Sequence, residues 1–465
     1  MMQSDQIKKY FDKGGLLANA MTSFEYRPQQ LEMAEAVVRS FNSGQHLMVE
    51  SGTGTGKSLA YLIPAILWAV ENQKKVVIST YTKALQQQIL HHDIPFLIEK
   101  LGLSFRYSLC MGYGNYLSLR RLKRAAQTEL FARPGENSQF QKIVQWAGET
   151  KTGAKVDLPF EPLPSVWEDV GRDKDLCMGK NCETHDMCFY FKERRKWFGA
   201  HLLIVNHHLF FANLGNNGAV LPRYDAVVFD EAQNIEEAAT SFLGLEISNS
   251  SLFYFIDRLY NARTQKGKLA RIERVIGSEK LREQVRVVRE AARTFFDRLL
   301  EEYGKKSRVI RFYNPSVLRN DLDAPLQELY EALKTTEGQV QSEEDRLELS
   351  AAANRCLEFG STLKAILKQH LEDYVYWLEV AAGKRLVRAI LKGVPVNVSK
   401  ELQKQLFDKT KRVVLTSATL TTNRTFDFIK SRIGYQPQEE KILDSPFDYK
   451  SQALLYIPRD MPEPT

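Results

Sequence analysis

Short apolar runs alternate with longer amphipathic ones along this chain, and the alternation changes character twice. His46-Leu47-Met48-Val49 has the signature of a strand, and the apolar stretch 59–70 that of a helix. Val76-Val77-Ile78-Ser79 repeats the strand signal, so residues 1–105 read as strand–helix alternation, the opening of a parallel sheet. Residues 106–198 are irregular, with Pro134, Pro159, Pro162 and Pro164, although Arg106-Tyr107-Ser108-Leu109 is strand-like. The sheet pattern resumes over 199–245 with Leu202-Leu203-Ile204-Val205 and Ala226-Val227-Val228-Phe229. Residues 246–372 carry helical periodicity alone: Leu281, Val285, Val288, Ala292, Phe295 and Leu299 form one stripe, and Leu326, Leu329, Tyr330 and Leu333 another. Such stripes are core faces. Strand signals return over 373–421 with Tyr374-Val375-Tyr376-Trp377 and Arg412-Val413-Val414-Leu415, and 422–465 hold a last candidate, Ala453-Leu454-Leu455-Tyr456-Ile457.

With 465 residues, 43% of them hydrophobic, the chain can bury several cores. Its 64 Lys and Arg against 57 Asp and Glu leave a net charge of +7, a mild excess that suits a polyanionic partner without identifying one. No apolar run approaches the roughly 18 residues of a membrane span, and the first residues lack a basic-then-apolar leader pattern. The expectation is a soluble, cytoplasmic monomer that does not engage membranes. Five cysteines, an odd number, argue against a disulfide framework.

Chemistry enters between the first strand and its helix, at Glu50-Ser51-Gly52-Thr53-Gly54-Thr55-Gly56-Lys57-Ser58. Ser51, Gly52, Thr53, Gly54, Thr55 and Gly56 are small enough for backbone N–H groups to close around a phosphate at the positive end of a helix. Lys57 would reach the β- and γ-phosphates of ATP, and the Ser58 hydroxyl would hold Mg²⁺. Ser51 stands where the usual pattern has its first glycine. The strand Ala226-Val227-Val228-Phe229 runs into Asp230-Glu231-Ala232-Gln233, where Asp230 would hold Mg²⁺ and Glu231 activate the attacking water. By itself an acidic pair after a strand can equally be a dipole-favoured helix start. Hydroxyls at Thr416, Ser417 and Thr419, and at Thr80 and Thr82 beyond the second strand, are candidates for linking this site to a nucleic-acid strand.

In that order the elements resemble the DEAD/DEAH-box helicase superfamily, and within it the DinG/XPD/YoaA branch of iron–sulfur DNA helicases. Val205-Asn206-His207-His208-Leu209-Phe210, Phe229-Asp230-Glu231-Ala232-Gln233, Leu415-Thr416-Ser417-Ala418-Thr419-Leu420 and Ser445-Pro446-Phe447-Asp448-Tyr449 carry the resemblance, which covers nearly the whole chain. It implies an α/β fold: a RecA-like parallel-sheet motor lobe with an iron–sulfur-type insertion at 106–198 and a helical arch-type insertion at 246–372. It also implies that Gln29 contacts adenine, that movement on single-stranded or forked DNA is 5′→3′, and that the role is in DNA repair. The acidic box ends in Gln233 where the branch usually has His; Gln233 can still bridge to the γ-phosphate side or to Thr416–Thr419.

Cys177-x4-Cys182-x5-Cys188 fits the spacing of the second to fourth ligands of the branch's 4Fe–4S cluster. The first ligand position, after Gly114-Asn115-Tyr116-Leu117, is Ser118, and the nearest other thiol is Cys110. A Ser118 oxygen ligand, recruitment of Cys110 and no stable cluster all stay open, as does zinc held by the three cysteines with His185. Cys356 reads as structural, and His207-His208 as a structural pair on a strand end. Arg120, Arg121, Lys123 and Arg124 near Tyr116, then Lys192, Arg194, Arg195 and Lys196 near Tyr190 and Trp197, and Lys305, Lys306, Arg308 and Arg311 beside Phe312-Tyr313, are candidate DNA contacts.

About 45 residues follow the Thr416–Leu420 motif, too few for the second lobe such motors use, so 422–465 read as its truncated start. The expected function is an ATP-dependent DNA helicase, represented by its ATP-binding lobe. The alternative is an ATP- and nucleic-acid-binding remnant that does not unwind.

Overall fold

The structure, a computed structural model, describes residues 4–127, 134–216, 218–270, 272, 279–304, 308–315, 319–382, 387–454 and 456. The chain divides into two compact units: Met1–Met111, Lys196–Phe242 and Val398–Thr465 form the first, Gly112–Arg195 and Leu243–Asn397 the second.

Seven strands build the first unit's sheet: β1 (Leu47–Ser51), β2 (Val76–Thr80), β3 (Tyr107–Leu109), β4 (Leu202–Asn206), β5 (Ala226–Asp230), β10 (Val413–Ser417) and β11 (Glu439–Leu443). Their order is β11-β1-β10-β5-β2-β4-β3, and every neighbouring pair is parallel. The central strands are buried along nearly their whole length, which is why they read as continuous apolar runs and not as alternations. Helices Pro28–Ser43 and Lys57–Asn72 pack together through Phe41 and Trp68, whose rings lie 5.2 Å apart, and share one core with β1, β2 and β4.

The second unit holds an antiparallel sheet of β6 (Leu245–Ser248), β9 (Arg388–Pro395), β8 (Tyr374–Ala381) and β7 (Val309–Phe312), in that order. Helices Asn249–Leu259, Lys280–Tyr303, Asp323–Glu337 and Glu343–Lys368 pack on it. The expected stripes are core: Leu281, Val285, Val288, Ala292, Phe295, Leu299, Leu326, Leu329 and Leu333 are buried and Tyr330 packs against them.

Three boundaries differ from the expectation. Tyr374–Trp377 does not return the chain to the parallel sheet but belongs to β8, because a short aromatic and β-branched run does not reveal which sheet it joins. Residues 439–443, expected to open a second lobe, form β11 and pair with β1 at the edge of the first sheet. The cysteine-bearing segment and the helical segment, expected as two domains, lie in one unit. Much of the reason is ionic: Arg124 meets Glu344 at 2.8 Å and Asp345 and Glu348 at 3.1 Å, and Arg120 pairs with Glu344. Arg121 donates to the carbonyls of Gly171 and Glu168. These three arginines therefore face inward as fasteners and are not phosphate contacts. The Lys305–Lys306 pair lies outside the described residues, as does part of the strand expected at 453–457. Among the described residues no helix is long and apolar enough to cross a membrane.

The Arg124 side chain is 13% exposed, so Arg124→Ala removes the buried cation that Glu344, Asp345 and Glu348 share and should cost about 3 kcal/mol or more. Lys334→Ala breaks the solvent-screened pair with Glu337 and should leave stability unchanged. Hydrogen exchange along Glu343–Lys368 checks both, with faster exchange expected in the first variant alone.

Candidate active site

The loop after β1 turns through two left-handed glycines, Gly54 and Gly56, each at φ +80°, before the helix Lys57–Asn72. That conformation is strained for residues with a Cβ. A Cβ on Gly56 would also fall 2.1 Å from Gln30 Nε2, and one on Gly54 2.3 Å from the Phe447 ring. Ser51 takes the first glycine's place without disturbing the turn: its buried hydroxyl lies 2.7 Å from Thr55 Oγ1, which donates to the Gly52 carbonyl at 2.9 Å. Lys57 Nζ reaches back across the loop to the Ser51 carbonyl at 3.1 Å, while Thr53 is exposed at the tip. Gln30 donates to the Gly56 carbonyl at 3.0 Å. Its neighbour Gln29 keeps Oε1 buried without a hydrogen-bond partner.

Asp230 ends β5, almost wholly buried, and burial raises its carboxyl above the ordinary range; hydrogen bonds from Tyr61 and the Glu231 amide, and the Lys57 charge, pull it back. Tyr61 OH donates to Asp230 Oδ2 at 2.9 Å, and the Glu231 N–H to Oδ1 at 2.9 Å. Tyr61 lies one helical turn beyond Lys57, on the same face, and its hydroxyl also meets that of Ser58. Glu231 itself adopts φ +57°, ψ +44°, a left-handed backbone uncommon outside glycine. Gln233 donates to Glu231 Oε2 and accepts from Ser417 Oγ, and Ser417 Oγ accepts from the Thr419 N–H at 3.2 Å. The amide of Gln233 thus makes both bonds, one toward the acidic pair and one toward the β10 motif.

Ser417 is buried and spent on Gln233; Thr416 is buried with Oγ1 unpartnered; Thr419 is exposed. Thr80 is buried, and Thr82, although exposed, caps the helix Lys83–Gln88 through the Leu85 N–H at 3.2 Å. Three contributors carried no recognised signal. Tyr61 was legible only as an i+4 partner of Lys57. Glu50 accepts from the Leu420 and Thr421 amides at 2.5 Å each and from the Thr421 hydroxyl at 2.8 Å. His207 is not on a strand: β4 ends at Asn206, which caps the helix His207–Gly215. That turn buries His207 and exposes His208. Burial lowers the His207 pKa to about 4, so its ring is neutral at physiological pH.

In the second unit Cys177, Cys182 and Cys188 line one cavity with Ser118, His185 and Arg172. Arg172 donates to Cys177 Sγ at 3.2 Å, and His185 Nδ1 lies 2.8 Å from the Gly179 carbonyl, which leaves Nε2 with its lone pair. Cys110 does not line this cavity; it is buried beside β3 in the first unit, where burial pushes its thiol well above the ordinary range. Among the described residues no three His, Cys, Asp or Glu side chains converge closely enough to hold one metal ion. Cys356 is buried in the helical core, as expected.

Residues 27–136 match the DEAD/DEAH box helicase family, and residues 173–252 the DEAD_2 family. The chain is 30% identical over 460 residues to the ATP-dependent DNA helicase YoaA of Escherichia coli, covering 97% of this chain and 69% of that protein. It is 29% identical over 476 residues to YoaA of Haemophilus influenzae, covering 99% and 70%. A solved structure named XPD_Helicase covers 90% of this chain and 62% of its own length at 14% identity and a TM-score of 0.48.

Tyr61→Phe should leave Asp230 Oδ2 buried with no protein donor, costing about 1–3 kcal/mol. Because that donor holds the Asp230 pKa down, its loss should raise the pH at which Mg²⁺-dependent nucleotide binding reaches half-maximum. Denaturant melts and Mg²⁺ titrations across pH 5–8 check the two expectations.

Proposed function

The chain belongs to the YoaA family of ATP-dependent DNA helicases, and from that membership we propose that its first unit is the motor lobe that hydrolyses ATP on single-stranded or forked DNA. One observation carries the reading: the glycine loop, the acidic pair and the β10 hydroxyls meet at the carboxyl ends of three adjacent strands, the edge where parallel α/β sheets bind ligands.

In this reading the loop from Ser51 to Gly56 cradles the phosphates, and Lys57 leaves the Ser51 carbonyl for the β- and γ-phosphates. Ser58 and Asp230 hold Mg²⁺, which when bound neutralises phosphate charge. Glu231 orients and deprotonates the attacking water. Gln233 passes the state of that carboxylate to Ser417 and so to Thr419. Gln29, with its unpartnered Oε1, accepts from the adenine amine. DNA runs past Tyr81 and Thr82 and is attracted by the exposed Lys192, Arg195 and Lys196. A cytoplasmic setting, 5′→3′ polarity and a role in DNA repair belong to the same proposal.

For the second unit the proposal is a 4Fe–4S centre on Cys177, Cys182 and Cys188. Three thiols on one cavity are a donor set that selects iron–sulfur or zinc over harder ions, and Arg172 donates to Cys177 Sγ from the same cavity. When bound, the cluster would supply a cross-link between segments of the unit. Ser118 Oγ, on the same cavity, is the proposed fourth ligand.

Lys57→Ala should weaken ATP binding or abolish turnover, whereas Glu231→Gln should bind ATP and fail to hydrolyse it. Undiminished DNA-stimulated hydrolysis by Lys57→Ala would overturn the motor assignment. For the metal, anaerobically purified protein should be brown with substoichiometric iron that bleaches in air. Ser118→Cys should raise the iron content and Cys110→Ala should leave it unchanged. Zinc without iron or acid-labile sulfide would reject the cluster and make His185 the fourth ligand.

A further inference from the structure

A buried imidazole that the ATPase reading leaves unused touches two of its parts. His207 Nδ1 lies 2.7 Å from Ser79 Oγ, one residue before the end of β2. The ring packs against Tyr81 at 5.9 Å and Phe229 at 5.6 Å between centroids. The second nitrogen, Nε2, is fully buried with no hydrogen-bond partner, and the backbone of Asp230 and Glu231 lies close to the ring. One ring therefore contacts both the segment leading through Thr80 to Thr82 and the peptide of the acidic pair.

Chemistry decides where the proton sits. Carbonyls only accept, so Nε2 carries the hydrogen, and Nδ1 accepts from the Ser79 hydroxyl. Packing alone would be served by phenylalanine, which would not bury a polar atom without a partner. Glu231 gives that atom a use. Its left-handed backbone persists only if its surroundings hold it, and a bond from the buried ring N–H to its own carbonyl or the preceding one would be such a hold.

We propose that His207 is a positioning residue that couples the Ser79–Thr82 segment to Glu231, with Ser79 fixing the ring and Nε2–H bonding the Asp230–Glu231 backbone. A displacement of Tyr81 or Thr82 by DNA then turns the ring and resets the carboxylate that activates water. The proposal rests on the reading of Glu231 as the general base and of Tyr81–Thr82 as the DNA-facing segment.

The test compares hydrolysis of Mg·ATP by the whole chain with and without oligothymidylate. His207→Phe keeps the ring volume and should leave KM for Mg·ATP within about twofold while lowering the DNA-stimulated kcat about tenfold. Ser79→Ala should give the same loss, and the double variant should be no slower than the slower single one, because both remove one device. His207→Gln, which keeps an acceptor and a donor, should recover part of the rate. Additive losses, an unchanged kcat in His207→Phe, or a loss confined to KM would overturn the proposal. A Glu231→Gln variant hydrolysing at the wild-type rate would remove the ATPase reading and the proposal together, whereas an inactive Glu231→Gln beside a fully active His207→Phe sinks the proposal alone. A readout independent of turnover is the tautomer. In ¹⁵N-histidine spectra of the wild-type chain, His207 should carry its proton on Nε2, and a proton on Nδ1 would overturn the assignment.

Discussion

β1, β10 and β5 run side by side in parallel, with Val49 opposite Thr416, Glu50 opposite Ser417, and Thr416 opposite Asp230. The site depends on that register. It sets the glycine loop, the hydroxyl motif and the acidic pair at the same height on one edge of the sheet. Three sequence segments that are hundreds of residues apart then bond directly: Tyr61 to Asp230, Ser417 to Gln233, and Glu50 to Leu420 and Thr421. A slip of one residue would turn the strand side chains among them, Glu50, Asp230 and Ser417, to the other face of the sheet. The buried apolar runs of the three strands resist it, because they are packed on both sides and a slip would bury the polar ends instead.

The second unit is organised by charge as much as by its core. Arg120 and Arg124 join the helix Leu119–Gln127, next to the cysteine cavity, to the start of the long helix Glu343–Lys368. Arginine suits this place because its fork can serve several carboxylates at once and it stays charged when buried. The cysteine segment, expected to be irregular, carries four helices, Leu119–Gln127, Pro134–Glu149, Pro164–Val170 and Phe189–Gly199, held by these pairs and by bonds such as that from the Trp167 indole to the Gly114 carbonyl at 2.8 Å.

Local patterns were legible to different degrees. The glycine loop was readable residue by residue, since a strand, small residues and Lys-Ser on a helix start are all contiguous. The bridging capacity of Gln233 was readable too, because an amide can donate and accept at once. The helical stripes near Leu281 and Leu326 were readable from their period. What failed was partnership. Tyr374–Trp377 announces a strand but not its sheet, and Arg120 announces a charge but not whether it meets phosphate or Glu344. His207 announces an imidazole, but a strand end one residue earlier than expected moved it onto a helix and buried it against Ser79 and Phe229.

The sequence by itself therefore determined the kinds of element, the glycine loop, the acidic pair and the family to which they belong, because each is written in neighbouring residues whose conformational preferences are local. Only the tertiary structure decided which strands share a sheet, that β11 flanks β1, that the cysteines line one cavity with Ser118 without Cys110, that Tyr61 bonds Asp230 and Glu50 the Leu420–Thr421 segment, and that His207 is buried against Ser79 and Phe229. Those choices depend on contacts between residues far apart in the chain. Side chains acquire a role there from what burial sets beside them, which no local spacing records.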